Sequence, residues 1–497
     1  MSAFELDQIV GTIKFPEEVT AIPSRAFANN TLIQALEFGA QTVAIDAYAF
    51  ENCYGISSIV CNATTPPEVG EGAFNGVPKA NFSVEVPEAS VVAYQTAPGW
   101  REFARIVAHR DFSISRRLCR TLGKAEMKSL DLRAPSGAAW SVESKPDWLT
   151  VSPMSGTGRA KVRITTTDIP AGAGSRSGEI VFLLDGKDYR ATTTVEQYET
   201  YKEGQVVSVY EHSKGRGVDL VFMGDCYDAK DIYEGKYMED VNQAIEHFFS
   251  IEPYKTYKDY FDVNIVVGCS EDSGAGDASR IREARFGTQY TLSDGLTPDI
   301  DLCLEYAQKA NIRNLNQTHI TIVQNSPDRE GTTILYPSGL SISICPVSTG
   351  AYPYDFRGVV QHESGGHGFG KLADENIKHN AFIQSCGCLD GCPHVAEIEY
   401  YKLFGYYENI SLTADMHQVP WSHMIFDPFY SNLVDIYEGA FYHSRGVFRS
   451  EKNSCMNNYI PYYSSISRES IVRRIMKYAG EPFSYGEFKS KDNEMNY

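Results

Sequence analysis

The spacing of apolar residues after position 200 predicts a domain of strands and helices. The uninterrupted apolar runs are residues 218–224, 263–268 and 320–324, and the segments with helical spacing are residues 240–249 and 467–478. Short apolar runs are typical of buried central strands, and strands that alternate with helices indicate an α/β domain, here over residues 200–497. Residues 340–344 alternate between apolar and polar positions, which predicts a half-exposed edge strand that could hold an extended peptide.

Residues 110–199 have a different pattern. Short alternating runs, such as residues 161–165 and 178–182, are separated by turns rich in Gly, Ser and Pro. This pattern predicts an all-β sandwich of roughly 90 residues.

The first hundred residues contain an internal repeat. An Ala-Phe pair recurs at residues 26–27, 49–50 and 73–74, so the period is 23 to 24 residues. This period lies within the range of leucine-rich repeats. Each pair is expected to pack inward beside an Asn-rich turn, and about three units can be counted. Residues 1–109 are therefore predicted to form a short repeat segment, which serves as a spacer or as a binding surface.

These two N-terminal segments resemble known families. The repeats, with residues 86–100 as the closing cap, resemble BspA-type leucine-rich repeats. The segments around Trp140 and Trp148 resemble the BACON-type domain, which is often proposed to bind carbohydrate. The two tryptophans could stack on sugar rings, but tryptophan in a small sandwich is more often a core residue. Carbohydrate is thus a candidate partner of the sandwich, without an assigned site.

The most informative motif is His-Glu-Ser-Gly-Gly-His at residues 362–367. It is a zinc-hydrolase signature with one residue too many, since the usual spacing of four places both histidines on one side of a helix. At roughly 100° per residue, a spacing of five overshoots to about 140°, so a regular helix would splay His362 and His367 apart. A single-turn π-bulge would restore their facing, and Gly365 and Gly366 lower its steric cost. The alternative is a Gly-rich loop that carries two histidines.

The stretch from His362 to Glu375 resembles the IgA-peptidase family of zinc metallopeptidases, in a variant with an expanded His-Glu motif. The same resemblance extends to residues 218–225, 421–423, 437–447 and 454–458. It implies a zincin-like, metzincin-like catalytic domain that holds Zn²⁺ with His362 and His367. Glu363 is then the general base, which takes a proton from the attacking water and returns it to the leaving amine.

The third zinc ligand is expected to be Asp374. This residue closely follows Gly370, where a metzincin-type helix turns sharply, and a carboxylate is a legitimate zinc ligand. Glu375, His423 and His443 remain alternatives.

Two further residues receive roles from the same resemblance and their surroundings. Met456 is expected to form an apolar floor under the metal, as in a Met-turn. Tyr442 could donate a hydrogen bond to the developing oxyanion. The remaining candidates His379, His394 and His417 are expected to be ordinary surface histidines.

Charge and composition exclude several function classes. The chain has 497 residues with 64 acidic and 45 basic side chains, a net charge of −19. This balance argues against nucleic-acid or anionic-membrane partners, because both require a basic face. No run of eighteen apolar residues exists, so no transmembrane segment is expected.

No charged and apolar leader is visible, so the protein is either cytosolic or its signal peptide has been removed. The repeat and sandwich modules favour the second, and we expect a secreted, periplasmic or cell-surface bacterial protein. Most of the eleven cysteines stand alone among apolar neighbours and are expected to be small buried residues. The exception is the cluster of Cys386, Cys388 and Cys392, which is expected to form disulfides or free thiols.

Two functions of different classes are consistent with the sequence, and zinc-dependent hydrolysis of a non-peptide amide, such as deacetylation, stays open as a third. The first is a zinc-dependent endopeptidase that cleaves extracellular proteins or glycoproteins. The second is a catalytically inactive surface adhesion protein that binds glycans or proteins. Intact Glu363 favours the first, because the general base is easily lost once catalysis is no longer needed.

Overall fold

The structure is a computed structural model that describes residues 11–16, 18–108, 112–135, 137–186, 189–276, 282–288, 290–291, 295–328, 330–383 and 393–492. The chain divides into two compact units. The first holds Met1–Thr200 with Gly276–Glu283 and Tyr290–Asp294, and the second holds the remainder.

A parallel five-stranded sheet forms one wall of the repeat segment. Its strands are, in order, Gly11–Lys14, Ile33–Phe38, Ser58–Cys61, Ser83–Val86 and Arg105–Ala108. A second row contains the short strands Ala21–Ile22, Ala44–Ile45 and Glu68–Val69. The sheet has more strands than the three units counted from the sequence, because it extends beyond the segment in which the Ala-Phe pair recurs.

The predicted inward packing of the Ala-Phe pairs is confirmed. Phe27, Phe50 and Phe74 are buried and stack face to face, with successive ring centroids 5.3 and 5.7 Å apart. Trp100 closes the stack, its ring centroid 5.8 Å from that of Phe74. The aromatic column therefore supplies the core that so short an array needs.

Two β-sheets pack together over residues 113–198, as the alternating runs predict. One sheet contains Leu118–Leu122, Tyr189–Tyr198, Ser175–Leu184, Ala139–Ser144 and Ser155–Thr157 in spatial order, and the other Leu149–Ser152, Ala160–Thr166, Met127–Arg133 and Ser113–Ile114. Trp140 is fully buried in their core and donates its indole N–H to the Gly158 carbonyl at 3.0 Å. The Arg176 guanidinium carbon lies 4.3 Å from the ring centroid of half-buried Trp148. Trp140 is therefore a core residue, and one face of Trp148 is covered by an arginine.

A six-stranded mixed sheet forms the centre of the second unit. Its strands are, in spatial order, Val206–Tyr210, Phe261–Val266, Val218–Asp225, His319–Gln324, Ser341–Pro346 and Thr332–Leu335. The four inner strands are parallel and the two outer strands antiparallel to them. The apolar runs that predicted buried central strands lie in this parallel core.

The expectation of an edge strand at residues 340–344 is wrong. Ser341–Pro346 is fully buried and pairs on both sides, with His319–Gln324 and with Thr332–Leu335. The edge strand is Thr332–Leu335. The polar positions that alternate along strand Ser341–Pro346 are serines, and their side chains face another buried element instead of solvent.

The remaining elements are helices, 3₁₀ turns and smaller sheets. The α-helices are Val91–Thr96 in the first unit, and Ala229–Tyr233, Lys236–Phe249, Ile300–Lys309, Phe356–Val359, Pro393–Lys402, Ser422–Ile425, Cys455–Asn458, Ser465–Ala479 and Tyr485–Lys491 in the second. Single 3₁₀ turns are Glu88–Ser90, Trp100–Glu102, Lys258–Tyr260 and Leu315–Gln317. Smaller sheets contain Ile377–Phe382, Tyr442–Arg449, Ile410–Ser411 and Tyr437–Ala440, and Tyr290–Thr291 with Gly295–Leu296. In the described ranges, every helix is too short or too polar to span a bilayer.

The cysteines that the structure describes are thiols and not disulfides. Cys61, Cys226, Cys303 and Cys345 are buried, as expected for cysteines among apolar neighbours, whereas Cys269, expected to be buried for the same reason, is half-buried. Cys386, Cys388 and Cys392 lie outside the described residues.

Candidate metal centre

The expanded motif lies on a π-helix. Residues Val360–Phe369 continue the short α-helix Phe356–Val359, whose first turn is capped by the Asp355 side chain. The amide of Gly370 bonds the carbonyl of Gly365 at 2.9 Å, an i→i+5 hydrogen bond. Such bonding brings residues five apart onto one side. The π geometry predicted from the spacing is therefore confirmed, and it extends over ten residues instead of a single turn.

The two histidines of the motif converge with Asp374. His362 Nε2 and His367 Nε2 are 3.1 Å apart, and Asp374 Oδ1 lies 3.3 Å from the first and 3.6 Å from the second. All three groups are largely buried. Each residue offers one ligand atom, and the three atoms lie within 4.8 Å of one another. Among the described residues, this is the group of His, Cys, Asp or Glu side chains that could hold a metal ion.

Hydrogen bonds on the other ring nitrogens fix which nitrogens face the centre. His362 Nδ1 lies 2.9 Å from the Cys455 carbonyl, and His367 Nδ1 lies 2.8 Å from the Leu372 carbonyl. A carbonyl only accepts hydrogen bonds, so both Nδ1 atoms carry a proton and both Nε2 atoms can present a lone pair. Two such lone pairs beside a carboxylate repel one another unless a cation or a proton lies between them.

Without a metal, a proton meets this demand. Burial by itself lowers the pKa of His367, but the charge and hydrogen bond of Asp374 outweigh it and raise that pKa to about 9. Burial by itself raises the pKa of Asp374, but His367 and His362 hold it well below its usual value. The centre therefore has a strong electrostatic preference for positive charge.

The Asp374 carboxylate is held by its own neighbours. The Tyr442 hydroxyl donates to Asp374 Oδ2, and the Asn376 side-chain amide donates to Oδ1 at 3.1 Å. The Phe441 amide also bonds the Asp374 carbonyl at 3.0 Å. Tyr442 thus contacts the centre through Asp374.

The Glu363 side chain contacts the edge strand Thr332–Leu335 and Gly331, the residue that precedes this strand. Thr333 Oγ1 donates to Glu363 Oε2 at 2.9 Å and lies 3.0 Å from the Glu363 carbonyl. A Cβ at Gly331 would lie 2.5 Å from Glu363 Cγ, so the acidic side chain packs directly on the backbone there. No sequence pattern singles out Thr333, because threonine is common in strands.

Hydroxyl groups from the surrounding elements support the π-helix. The hydroxyls of Tyr254 and Ser341 donate to the backbone carbonyls of Gly365 and Gly368 at 2.6 and 2.9 Å. The hydroxyl of Ser343 donates to the carbonyl of Glu363 at 3.0 Å, and that of Tyr463 donates to the carbonyl of Gln361. Because π-helices are rare and usually a single turn, ten residues of this geometry need such outside support.

A second hydroxyl network lies beneath Ser364. Its Oγ lies 2.8 Å from His319 Nε2 and 2.7 Å from Thr321 Oγ1, while His319 Nδ1 lies 2.9 Å from Ser341 Oγ. Burial holds the pKa of His319 well below its usual value, so this imidazole is neutral and joins the sheet to the π-helix.

The glycines of the motif are required by close packing. A Cβ at Gly366 would lie 3.0 Å from Met456 Cε and still closer to its sulfur. Added carbons at Gly365 and Gly368 would meet the Tyr463 hydroxyl and the His319 ring. Met456 is fully buried and lies against the motif, consistent with the expected floor.

The alternative third ligands lie elsewhere. Glu375 accepts hydrogen bonds from Ser454 Oγ at 2.5 Å and Asn409 Nδ2 at 2.9 Å. His423 Nε2 lies 2.6 Å from a Glu469 carboxylate oxygen. His443 packs beside other histidines, its ring centroid 5.2 Å from that of His394.

One neighbour of the centre was not anticipated from the sequence. The Tyr459 ring stacks on His362, with centroids 4.1 Å apart and planes 9° apart. Its position three residues after Met456 is the only signal that could have pointed to it.

Three family models match the chain. BspA-type leucine-rich repeats match residues 1–91 in six copies, a BACON domain matches residues 138–198, and IgA Peptidase M64 matches residues 208–385. The last match supports a peptidase, that is, a hydrolase of peptide bonds. A comparison with curated proteins finds no match.

Solved structures resemble parts of the chain only weakly. WR4, a C. elegans MSP family member, is 13% identical, with a TM-score of 0.15, over 18% of this chain and 100% of its own. The Vibrio cholerae VesB protease is 13% identical, with a TM-score of 0.15, over 18% of this chain and 32% of its own. A Bacteroides ovatus GH5 xyloglucanase is 14% identical, with a TM-score of 0.17, over 42% of this chain and 44% of its own. These likenesses carry no information on function, whereas the family models show a BspA-type leucine-rich repeat region, a BACON domain and an IgA Peptidase M64 domain in the order expected from the sequence.

Proposed function

We propose that the second unit is a zinc-dependent endopeptidase, with a zincin-like active site, that hydrolyses extracellular proteins or glycoproteins. The observation that carries this proposal is the convergence of His362 Nε2, His367 Nε2 and Asp374 Oδ1 beside the buried carboxylate of Glu363.

The donor set fits Zn²⁺. Two imidazole nitrogens and one carboxylate oxygen are ligands that zinc accepts, and three protein ligands leave a position open, as in catalytic zinc sites. The carbonyl partners of both Nδ1 atoms match the outer contacts that orient metal-binding histidines. When bound, Zn²⁺ supplies Lewis acidity, which lowers the pKa of a water molecule and polarises a carbonyl.

Glu363 is the proposed general base and acid. Its carboxylate takes a proton from the attacking water and gives it to the leaving amine. The hydrogen bond from Thr333 fixes one carboxylate oxygen, so the other remains for the proton. Tyr442 has the proposed role of a donor to the oxyanion, for which its hydroxyl would turn from Asp374 to the substrate.

The edge strand Thr332–Leu335 is the proposed support for an extended substrate. Among the described strands it pairs on one side only, with Ser341–Pro346, so its other edge can accept a peptide by β-augmentation. Thr333 lies on this strand and contacts Glu363, which would place the peptide next to the general base.

The N-terminal modules are proposed to present or target the peptidase at a bacterial surface or outside the cell. Their families support this location. Carbohydrate binding by the sandwich is a separate proposal, and it would require a surface other than Trp140, which is buried.

The test is the Glu363→Gln variant with exposed Glu399→Gln as the matched control. We expect Glu363→Gln to keep its zinc in elemental analysis but to lose cleavage of a mixed proteome, read by mass spectrometry, whereas Glu399→Gln keeps both. An active Glu363→Gln protein would refute the base assignment. A wild-type protein that binds zinc but cleaves nothing would favour the adhesion function instead.

A further inference from the structure

The short helix Cys455–Asn458 and the tyrosine that ends it hold His362 from two directions. The Cys455 carbonyl lies 2.9 Å from His362 Nδ1, at the edge of the imidazole. The Tyr459 ring covers a face of the same imidazole, with centroids 4.1 Å apart and planes 9° apart. The Tyr459 amide donates to the same Cys455 carbonyl at 3.1 Å. One turn of the chain therefore contacts both the edge and a face of this proposed metal ligand.

The backbone of Tyr459 is strained. It has left-handed dihedral angles, φ 62° and ψ 12°. This region is unfavourable for a bulky side chain, and glycine is the usual residue there where a helix ends. Residues in such conformations cluster at functional sites and persist only where their surroundings hold them. Two terminal nitrogens of Arg357 lie 3.4 and 3.5 Å from the Tyr459 carbonyl oxygen, and the Tyr354 ring centroid lies 5.2 Å from that of Tyr459.

The ring of Tyr459, and not its hydroxyl, makes the contact with His362. In the part of the chain that the structure describes, this hydroxyl has no hydrogen-bond partner. Tyr442 differs, since its hydroxyl donates to Asp374. The strained position thus keeps a flat aromatic surface against the imidazole.

A stacked ring supplies what a single hydrogen bond does not. The bond to the Cys455 carbonyl places the proton on Nδ1 of His362, but the imidazole could still tip about that bond. The Nε2 lone pair lies in the plane of the ring, so tipping would aim it away from an ion. A parallel ring at van der Waals distance blocks this movement on one side.

We propose that Tyr459 is a positioning residue that fixes the ring plane of His362 for metal binding. This inference rests on the proposed zinc centre and assigns the role to the aromatic face. An imidazole that is already aimed loses less freedom when an ion binds, which raises the affinity.

The experiment measures the Zn²⁺ affinity of the metal-free full-length chain by competition with a chromogenic chelator. Tyr459→Phe keeps the ring and should bind Zn²⁺ as the wild type does. Tyr459→Leu and Tyr459→Met have no flat face and should each bind it about 10- to 100-fold more weakly, as is typical when a group that orients a ligand is lost. Tyr48→Leu is the matched control and should keep the wild-type affinity. Tyr48 is also half-buried with a left-handed backbone, φ 59°, but it belongs to the repeat segment.

A second measurement separates positioning from general stability. The visible absorption of the Co²⁺-loaded chain reports the coordination geometry, so it should change in Tyr459→Leu and Tyr459→Met and stay constant in Tyr459→Phe and Tyr48→Leu. A thermal unfolding scan of each metal-free variant shows which are folded, and either folded non-aromatic variant decides the question.

The outcomes distinguish this inference from the proposed function. Wild-type affinity in a folded Tyr459→Leu or Tyr459→Met protein would overturn the inference and leave the zinc centre intact. Equal losses in Tyr459→Phe and Tyr459→Leu would also overturn it, because the role would then belong to the hydroxyl. A wild-type chain that binds no Zn²⁺ would refute the proposed centre and this inference with it.

Discussion

The closest packing in the candidate centre gives a sharp test of its architecture. Gly366 lies on the π-helix directly against Met456, and a Cβ added there would be 3.0 Å from Met456 Cε and closer to the sulfur. Gly366→Ala therefore forces either the buried methionine or the π-helix to move.

The expected cost follows from overpacking. Extra atoms in a filled core destabilise a protein by about 1–3 kcal/mol. Each kcal/mol lowers the midpoint of thermal unfolding by about 2–4 °C in a domain of 150–250 residues and by somewhat less in a larger one such as the second unit, so a shift of a few degrees is expected. Movement of Met456 also displaces the adjacent carbonyl of Cys455, which orients His362, so zinc affinity should fall as well.

The assay is a double-mutant cycle on the metal-free full-length chain. Met456→Ala alone should cost about 2–5 kcal/mol through the cavity it leaves. In that background Gly366→Ala should cost little, because the new methyl group enters the cavity, giving a coupling of at least about 1 kcal/mol. Gly486→Ala, at an open position on helix Tyr485–Lys491, is the control and should be neutral or stabilising. Equal costs of Gly366→Ala in both backgrounds would refute the contact between the motif and its methionine floor.

Three further predictions concern the groups of the proposed metal centre. Thr333→Val should lower kcat by roughly ten- to a hundredfold, because it removes a hydrogen bond to the Glu363 carboxylate. Thr333→Ser keeps the hydroxyl and should keep kcat near that of the wild type. An equal loss of kcat in both variants would contradict a positioning role. Asp374→Ala should strip zinc in elemental analysis, and full occupancy would assign the third ligand elsewhere. In the metal-free protein, the raised pKa of His367 stabilises the fold fully below about pH 6.5, and this contribution is lost as pH rises through about 9. The depressed pKa of Asp374 contributes stability above about pH 4 that is lost on further acidification, so urea unfolding free energies should peak between these limits, and a flat profile would contradict both shifts.

Local patterns in the sequence predicted what depends on local geometry. The recurrence of an Ala-Phe pair predicted the buried stack of Phe27, Phe50 and Phe74, because each repeat places the same position in the core. The spacing of five between His362 and His367 predicted π geometry, since helix periodicity alone relates two positions on one helix.

Contacts between distant segments were not predictable in the same way. The alternation at residues 340–344 was interpreted as solvent exposure, yet Ser341 and Ser343 face the π-helix and are fully buried. Periodicity reports which residues share a face, and it does not report whether water or a polar backbone lies opposite. His379 and His394 were expected to be surface histidines and His443 an alternative zinc ligand, because only tertiary pairing shows that the three rings lie near one another.

The extra residue of the motif and the hydroxyls around it are best understood as one feature. A regular helix with four-residue spacing would satisfy its carbonyls internally, and serines on an inner strand would then be an unfavourable choice for a buried position. Here Ser341 and Ser343 donate to carbonyls of the π-helix, while Thr333 donates to the carboxylate of Glu363 and its hydroxyl lies 3.0 Å from the carbonyl of the same residue. The hydroxyls offset the cost of the rare helix, and the helix in turn gives them partners. The same contacts hold Glu363, the proposed general base, in position, so we infer that the five-residue spacing is tolerated only together with a hydroxyl-lined sheet.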